Sequence, residues 1–354
     1  MNRLHVIIPA GGVGSRLWPL SRKDRPKFLL DLRMSGKSLL QETIDRLAPI
    51  AASFTIVTGR AHEQAVRAQI PQGLDVTVLV EPQGRDSMPA IGLAAYVIRQ
   101  RFGDEAPIAS FAADHAITHP QVLLDCVERA LEVAQKGYVV TIGLKPLTPS
   151  TAYGYIAPGE PFEKESPEKG TIVRSFIEKP DEETAKHYCE QGYLWNAGMF
   201  IMTAGTLARA LTRFHPDMDT HLSAIGSQWE SEDFAKTLGE EWPALTKIAI
   251  DHAIAEPLAS EGGVAVVPAT DMGWTDVGDF DALAQISSEG QALRIDSSGS
   301  FVRSLTGQKI VLVGALNMAV IATEDAILVV DRNRAQDVKH VVDQLTQSGE
   351  EELL

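Results

Sequence analysis

Short apolar segments alternate with helix-forming segments through the first 143 residues, and this alternation restricts the possible fold more than any other feature. The apolar runs have the length of buried strands and fall at 6–8, 54–57, 76–80, 108–112 and 138–143. Helices are predicted between them, for example at 90–101 and 122–135. Strands joined by helices run parallel in a sheet that is covered on both faces. We therefore predict an α/β fold with a mostly parallel sheet, and a ligand site at the carboxyl ends of its strands.

The pattern changes after about residue 291. Short β-rich runs then recur at intervals of about 8 to 10 residues, which is typical of a small, separate β unit. They fall at 300–302, 310–313, 319–321 and 327–330. A final helix is predicted from the apolar stripe of Val338, Val341, Val342 and Leu345. We expect two domains, 1–290 and 291–354.

Charge and composition exclude several classes of protein. The 354 residues carry 32 Lys and Arg against 47 Asp and Glu, a net charge of −15, which argues against nucleic-acid and anionic-membrane partners. No apolar run approaches the roughly 18 residues of a membrane span. Cys126 and Cys189 are isolated and fit neither a disulfide scaffold nor a zinc site. We expect a cytoplasmic protein.

Three segments resemble binding motifs but lack a required part. Gly36-Lys37-Ser38 resembles the end of a P-loop, yet Asp31 stands where its first glycine is needed. Gly12-Val13-Gly14 lacks the third small residue of a dinucleotide fingerprint. Asp217-Met218-Asp219 has the spacing of a glycosyltransferase metal motif, but it lies in a polar helical stretch and is interpreted as exposed surface.

The segment 9–30, PAGGVGSRLWPLSRKDRPKFLL, carries the clearest chemistry. A buried strand ends in Gly11, Gly12 and Gly14, where the backbone approaches a ligand closely and directs N–H groups at phosphate oxygens. Arg16 and Lys27 supply fixed positive charge where a pyrophosphate leaving group accumulates negative charge. Taken alone, the glycines could also form a structural turn, with Arg16 and Lys27 as surface cations. The combined motif favours phosphate binding.

This segment resembles the signature of the sugar-nucleotide pyrophosphorylases, and Arg-Leu-Trp-Pro-Leu-Ser-Arg is similar to their mannose-1-phosphate guanylyltransferase branch. Further motifs follow in the order of the family, at 81–91, 111–115, 153–156, 176–180, 195–200 and 273–278. The resemblance covers nearly the whole chain. It implies a Rossmann-like fold of the nucleotide-diphospho-sugar transferase type.

The resemblance implies the reaction as well as the fold. A phosphate oxygen of mannose 1-phosphate attacks the α-phosphorus of GTP in one in-line step, giving GDP-mannose and pyrophosphate. It also assigns Mg²⁺ to Asp114, at a strand end, and Asp276, in a glycine-rich turn. A helix N-cap or turn role is the alternative for Asp114.

The remaining site residues are also implied by the resemblance. Glu178 is expected to accept hydrogen bonds from sugar hydroxyls and Lys179 to pair with the sugar phosphate, although an exposed ion pair is the alternative. Gly154 and Asn196 complete the sugar pocket, unless they are a β-bulge glycine and a turn asparagine. The residues expected at the base and ribose are Glu81, Gly84 and Arg85.

Departures from the family leave alternatives open. Asp86-Ser87-Met88 replaces the usual Asn-Thr-Ala, and Asp86 adds negative charge near the expected nucleotide. The alternatives are another nucleotide or sugar, a silent regulatory homologue that binds a nucleotide sugar, and a glycosyltransferase that uses Asp217 and Asp219. Residues 291–354 resemble the family's small β-helix-like domain. We expect two such units to pair and form a homodimer. The alternative is that the unit simply packs on the catalytic domain of its own chain.

Overall fold

A nine-stranded sheet forms the centre of the protein in the computed structural model, which describes residues 4–287 and 292–354. Each predicted strand of the first half is present, with bounds shifted by a few residues. The strands before residue 288 are β1 (Leu4–Ala10), β2 (Ala51–Gly59), β3 (Val76–Glu81), β4 (Pro107–Ser110), β5 (Ala116–Ile117), β6 (Val139–Leu144), β7 (Tyr155–Pro161), β8 (Thr171–Ile177), β9 (Leu194–Thr203), β10 (Val264–Ala269) and β11 (Trp274–Thr275).

The sheet is mixed, whereas the sequence predicts a mostly parallel one. Its order is β3-β2-β1-β4-β9-β6-β10-β8-β7. Strands β1 to β4 pair in parallel, as do β6 and β10, but β9 runs antiparallel between β4 and β6. The reason is local: β7 and β8 form an antiparallel hairpin rather than a crossover unit, so the direction of the chain is reversed before β9. The α/β class itself is confirmed.

Helices cover both faces of this sheet, and two large apolar clusters lie between the layers. Within the described residues, no helix is long and apolar enough to cross a membrane. The helices before residue 288 are α1 (Leu39–Leu47), α2 (Glu63–Ala68), α3 (Ser87–Phe102), α4 (Pro120–Ala134), α5 (Glu182–Glu190), α6 (Ala204–Phe214), α7 (Pro216–Ser227), α8 (Phe234–Glu241), α9 (Glu256–Ala259) and α10 (Phe280–Ile286).

Strand ends place the candidate site. The carboxyl ends of β1, β3, β4 and β6 lie at one edge of the sheet because these strands run in the same direction. Strand β9 begins at that edge, where Asn196 pairs with Gly143. Tyr155 pairs with both Ile177 and Trp195, which brings the end of β8 to the start of β9.

The C-terminal unit packs on the region before residue 288. It contains β12 (Ala292–Ile295), β13 (Phe301–Ser304), β14 (Ile310–Val313), β15 (Met318–Ala322), β16 (Ile327–Asp331) and α11 (Val338–Ser348). Parallel pairs β12–β14 and β13–β15 form two small sheets. Phe301 and Val338 share an apolar cluster with Leu17 and Trp18, so the unit supports the segment that follows the glycine loop. The predicted boundary at 290/291 lies outside the described residues.

Candidate active site

A cavity of about 960 Å³ opens at the carboxyl ends of the central strands. The C-terminal unit contributes Gln336 to its wall, and the loop at 148–152 closes one side. The sequence-predicted residues that line it are Gly12, Gly14, Arg16, Lys27, Asp114, Lys179 and Asp276. Residues that are far apart in the chain therefore meet in one chamber, since Gly12 and Asp276 both face it.

Gly14 is required by the path of Lys27. It has φ +79°, and a Cβ atom built there would lie 2.8 to 2.9 Å from three methylene carbons of the Lys27 side chain. The main-chain N–H of Lys27 donates to the carbonyl of Val13 at 3.1 Å. The loop and the lysine therefore form one packed unit that directs the ammonium group into the cavity.

Lys27 joins the two aspartates that the sequence analysis singles out. Its Nζ atom lies 2.8 Å from Oδ2 of Asp114 and donates to the main-chain oxygen of Asp276 at 3.0 Å. Burial alone raises the pKa of a carboxyl group, but the charge and hydrogen bond of Lys27, the charge of His115 and a main-chain hydrogen bond together outweigh it at Asp114. The pKa of Asp114 is consequently held below its ordinary value, and the carboxylate is ionised at neutral pH.

Asp276 is held by its own turn and by an aromatic cluster. Its Oδ1 atom accepts from the main-chain N–H of Gly278 at 3.1 Å and from the hydroxyl of Tyr153 at 3.4 Å. The Tyr153 ring lies edge-on between Trp195 and Trp274, with centroids 4.9 and 5.2 Å away. Burial and the Asp276 charge raise the pKa of Tyr153, so its hydroxyl remains a hydrogen-bond donor.

Arg16 approaches the same corner. It lies in the short 3₁₀ turn Ser15–Leu17. A Cβ atom on Gly278 would lie 3.5 Å from Nη1 of Arg16 and 3.2 Å from Oδ1 of Asp276. The glycine therefore leaves room for the guanidinium and the carboxylate side by side, and two cations, Arg16 and Lys27, face the cavity with the two aspartates.

A smaller pocket of about 150 Å³ adjoins the cavity and shares Asp276 with it. Gly154, Glu178 and Asn196 line this pocket. A Cβ atom on Gly154 would lie 2.5 Å from Oε2 of Glu178, so a glycine is needed for the carboxylate to occupy this position. The three residues that the sequence analysis assigns to a sugar pocket are thus brought together.

Lys179 stands between the pocket and the cavity, with an ammonium 2.5 Å from Oε1 of Glu178. Burial lowers the pKa of an amine, but the hydrogen bond and charge of Glu178 act in the opposite direction. The charges of Asp251 and Asp86 add to that effect, and the pKa of Lys179 is raised. Asp86 therefore contributes negative charge near Lys179 as well as near the end of β3.

Glu81 ends β3 and is buried, with its Oε2 atom lacking a hydrogen-bond partner among the described residues. Burial raises its pKa to about 7. Gly11 and Gly84 lie close by, since a Cβ atom on either would be 3.5 or 3.8 Å from Oε1 of Glu81. These three residues form a third group, at the ends of β1 and β3.

Arg85 is turned away from that group. Its guanidinium donates to the carbonyl oxygens of Leu245 and, at 2.7 Å, Pro243. In return the carbonyl of Arg85 accepts from Ile248. The side chain therefore anchors the 84–86 turn to the 243–248 segment, and its assignment to the nucleotide remains a prediction.

The donor set of Asp114 and Asp276 suits a hard divalent cation. Both carboxylates line the cavity, yet within residues 4–287 and 292–354 no three His, Cys, Asp or Glu side chains are grouped as a complete metal site. Mg²⁺ is commonly held by one or two carboxylates together with substrate phosphates, rather than by a protein cage. The residues present fit that type of site.

Two of the segments that only resemble binding motifs, 36–38 and 217–219, have structural roles. Asp219 lies in α7 and accepts hydrogen bonds from Tyr96 and from Thr212, so it is committed to helix packing. Ser38 caps α1, and the main-chain N–H of Gly36 donates to the Asp31 carboxylate. Neither segment lines the cavity.

Sequence reasoning missed the partners that orient the sugar-pocket residues. Thr141 donates to Oδ1 of Asn196, and Asp251 accepts from its Nδ2, both at 2.8 Å. Each partner is 55 positions from Asn196, and neither stands in a motif with an evident chemical role. Asp251 carried the clearer signal of the two, because it is an acidic residue in the short, mostly apolar segment 250–255.

Two family models match the chain. The model described as "Nucleotidyl transferase" matches residues 5–292, and one described as "MannoseP isomerase/GMP-like beta-helix domain" matches residues 290–345. The first covers most of the chain and includes every candidate residue named above except Gln336.

Sequence and structural relatives agree with these matches. The chain is 35% identical over 365 residues to the mannose-1-phosphate guanylyltransferase of Escherichia coli (strain K12), covering 99% of this chain and 75% of the relative. It is 36% identical over 367 residues to the enzyme of that name from Salmonella muenchen, with the same coverage. A crystal structure described as mannose-1-phosphate geranyltransferase from Thermus thermophilus has a TM-score of 0.83 at 30% identity, and the match spans 98% of this chain and 100% of that one.

Proposed function

This chain belongs to the nucleotidyl transferase family, and we propose on that premise that it transfers a guanylyl group from GTP to mannose 1-phosphate, giving GDP-mannose and pyrophosphate. The observation that carries the proposal is the meeting of Arg16, Lys27, Asp114 and Asp276 in one cavity beside a polar pocket. Two cations and two carboxylates in this arrangement suit a reaction between two phosphate groups.

The leaving group is held by the chain's own positive charge. The N–H groups of Gly11, Gly12 and Gly14 face the phosphates, while Arg16 and Lys27 stabilise the charge that accumulates on pyrophosphate. The attacking sugar phosphate is already ionised near neutral pH, so no general base is required. The reaction therefore depends on positioning and electrostatic stabilisation rather than on a covalent intermediate.

Nucleotidyl transferases typically use a divalent cation, and Mg²⁺ is the cation proposed here, with Asp114 and Asp276 as its protein ligands. When bound, it supplies charge neutralisation to the reacting phosphates. The hydrogen bonds from Gly278 and Tyr153 fix the carboxylate of Asp276. The ion pair with Lys27 keeps Asp114 ionised.

The small pocket is assigned to the sugar. Lys179 pairs with the sugar phosphate at the junction of pocket and cavity, and Glu178 and Asn196 contact hydroxyl groups. Gly154 is needed because a side chain there would displace Glu178. Catalytic roles are thus proposed for Arg16, Lys27 and Lys179.

The group at the end of β3 is assigned to the base. Guanine carries adjacent N–H donors at N1 and at its exocyclic amine, and the carboxyl group of Glu81, whose buried Oε2 atom has no partner among the described residues, is a matching acceptor. Gly84 allows the base to approach, and the Gly84-Arg85 turn is proposed to meet the ribose. Adenine lacks this pair of donors, so GTP is the preferred nucleotide.

We also propose two domains, 1–290 and 291–354, and a homodimer formed through the second. The strands β12 and β14 expose an aliphatic face on which Leu293 pairs with Val311 and Ile295 with Val313. All four side chains are at least half exposed, which is typical of a surface that is covered by a partner. The cytoplasm is the proposed location, since Cys126 and Cys189 are free thiols.

The test is pyrophosphate release in the presence of Mg²⁺, with GTP, ATP, UTP and dTTP each paired with mannose, glucose and fucose 1-phosphates. Release confined mainly to GTP with mannose 1-phosphate, and abolished by Asp276→Ala, is the expected result. Release with another pair of nucleotide and sugar 1-phosphate would support the nucleotidyl transfer reaction but assign it to different substrates. No pyrophosphate release with any pair, from folded protein that binds GDP-mannose, indicates a regulatory homologue. Metal dependence lost in Asp217→Ala but retained in Asp276→Ala indicates a glycosyltransferase.

A further inference from the structure

We propose that Asp251 is a second carboxylate acceptor for sugar hydroxyls and determines, together with Glu178, which sugar the pocket accepts. The proposal rests on the proposed function, because it concerns the pocket assigned to the sugar. Asp251 begins the helical segment Asp251–Ala255, and its carboxylate lines that pocket with Glu178, Gly154 and Asn196.

The hydrogen bonds of Asn196 determine what this residue can offer to a ligand. Its Oδ1 atom accepts from the Thr141 hydroxyl at 2.8 Å and from the N–H of Gly198 at 3.1 Å. One N–H of its amide group donates to Oδ1 of Asp251 at 2.8 Å. The amide oxygen is therefore occupied, and Asn196 retains one N–H as a donor.

Sugar hydroxyls donate as well as accept, so the pocket must supply acceptors. Glu178 supplies one, but its Oε1 atom is bonded to Lys179. Asp251 supplies a second carboxylate beside Asn196, with its Oδ2 atom not engaged by Asn196. Two carboxylates and one amide N–H can thus hold neighbouring hydroxyls at fixed positions.

The raised pKa of Asp251 is also consistent with a role in binding a ligand. Burial and the nearby charge of Glu178 raise its pKa to about 6, although Lys179 and His252 partly offset this. Two hydroxyl donors would stabilise its ionised form. A carboxylate needed only to orient Asn196 gains nothing from a position beside a second carboxylate, whereas a pair of acceptors for a diol requires it.

The specificity follows from the cost of an unpaired polar group. A sugar that lacks a hydroxyl at the position of Asp251, or directs it elsewhere, leaves Oδ2 of the buried carboxylate without a donor from the ligand, while Oδ1 still accepts from Asn196. Asp251→Asn keeps the shape and can still accept from Asn196, but it removes the charge. We expect it to raise KM for mannose 1-phosphate by about ten- to a hundredfold and to narrow the preference over glucose 1-phosphate by a similar factor.

The experiment compares wild type, Asp251→Asn, Asp251→Glu and Glu256→Gln in the full chain. Glu256 is the matched control, because it is a carboxylate of the next helical turn that pairs with His252 and does not line the pocket. KM is measured for GTP and for mannose and glucose 1-phosphates, with thermal unfolding recorded for each variant. Asp251→Asn is expected to raise KM for the sugar phosphate while leaving KM for GTP unchanged, and without lowering the melting temperature, because burial already disfavours the charge of Asp251. If Asp251→Asn does not fold, the same measurements are made on Asp251→Glu, which keeps the charge but shifts its position.

Calorimetric titration with GDP-mannose, GDP-glucose and GTP separates this proposal from the proposed function. Weaker GDP-mannose binding in Asp251→Asn, with GTP binding retained and Glu256→Gln unaffected, supports the role of Asp251 even if no pyrophosphate is released. Equal affinities of wild type and Asp251→Asn for GDP-mannose, or equal losses for GDP-mannose and GTP, overturn it. Absence of pyrophosphate release from wild type overturns the proposed function alone.

Discussion

The Nζ atom of Lys27 lies 2.8 Å from Oδ2 of Asp114. The same ammonium donates to the main-chain oxygen of Asp276 at 3.0 Å, so one cation joins both proposed metal ligands. Lys27 is also one of the two cations proposed to stabilise pyrophosphate. Its anionic partner in the ligand-free chain is the Asp114 carboxylate, and the phosphates are its proposed partners in the complex.

Lys27→Met separates these two roles. We expect pyrophosphate release to fall by about 10²- to 10³-fold, because a fixed charge on the leaving group is lost. We also expect Mn²⁺ to bind the nucleotide-free protein more tightly, by up to about tenfold, because Asp114 loses its internal cation. Electron paramagnetic resonance of free Mn²⁺ measures the second effect. Lys37→Met, at an exposed lysine paired with Asp45, is the control, and weaker Mn²⁺ binding in Lys27→Met would contradict this interpretation.

Gly14→Ala tests whether the loop positions Lys27. The added methyl group would meet the Lys27 side chain at 2.8 Å, and φ +79° strains any residue with a Cβ atom. We expect a loss of about a hundredfold in turnover, since a displacement of about 1 Å is enough to produce it. Gly239→Ala is the control, because this helical glycine has open space around its Cα. Unchanged turnover in Gly14→Ala would show that Lys27 is positioned in another way.

Local patterns predicted the parts of the site that lie next to each other in the chain. The end of β1, the glycine loop and Lys27 belong to the one segment 9–30, and Asp114 follows a buried strand, so the rule about strand ends predicted that they would lie close together, as they do around the cavity. The sequence did not predict the antiparallel course of β9, which follows from the hairpin of β7 and β8 earlier in the chain. The Thr141–Asn196–Asp251 chain of hydrogen bonds was also missed, because its members are 55 positions apart and no periodicity connects them.

Glu81→Gln is expected to stabilise the ligand-free protein and weaken its binding of GTP. The pKa of Glu81 is raised from 4.5 to about 7, so folding favours the protonated form. Its contribution to stability is complete below pH 4.5 and is lost as the pH rises through 7. The variant should therefore gain stability at about pH 8.5, on the order of 1–2 kcal/mol after allowance for solvent, and gain little at about pH 4.5.

Urea unfolding of the ligand-free protein at these two pH values measures the difference between Glu81→Gln and wild type. Calorimetry with GTP measures the accompanying loss of affinity. Glu63→Gln, at a partly exposed carboxylate paired with Arg67, is the control. A gain in stability that is the same at both pH values would show that ionisation of Glu81 is not its cause.

Val313→Glu tests the proposed homodimer. Val313 is 68% exposed on the aliphatic face of β12 and β14, so a charge there costs the isolated chain little. In a dimer formed through this face the charge would be buried without a partner. We expect sedimentation to show a dimer for wild type and a monomer for the variant. Leu147→Glu, at a residue that is 87% exposed outside this unit, should remain dimeric, and a monomeric wild type would refute the assembly.

Arg85→Met distinguishes an anchor from a nucleotide ligand. The guanidinium of Arg85 donates to the carbonyls of Pro243 and Leu245, and Ile248 also bonds back to the 85–88 segment. Removing the donors leaves carbonyl oxygens unpaired, which costs about 1–3 kcal/mol where they are buried. We expect this loss in the free energy of unfolding, together with a higher KM for GTP because the turn beside Glu81 is released.

A direct ligand would behave differently. If Arg85 contacted the nucleotide and did not anchor the turn, Arg85→Met would raise KM for GTP without changing the free energy of unfolding. Arg67→Met removes an exposed arginine that pairs with Glu63, and it reports the cost of losing a surface guanidinium. Urea unfolding and GTP kinetics on these two variants therefore determine whether Arg85 anchors the turn beside the proposed base pocket or contacts the nucleotide directly.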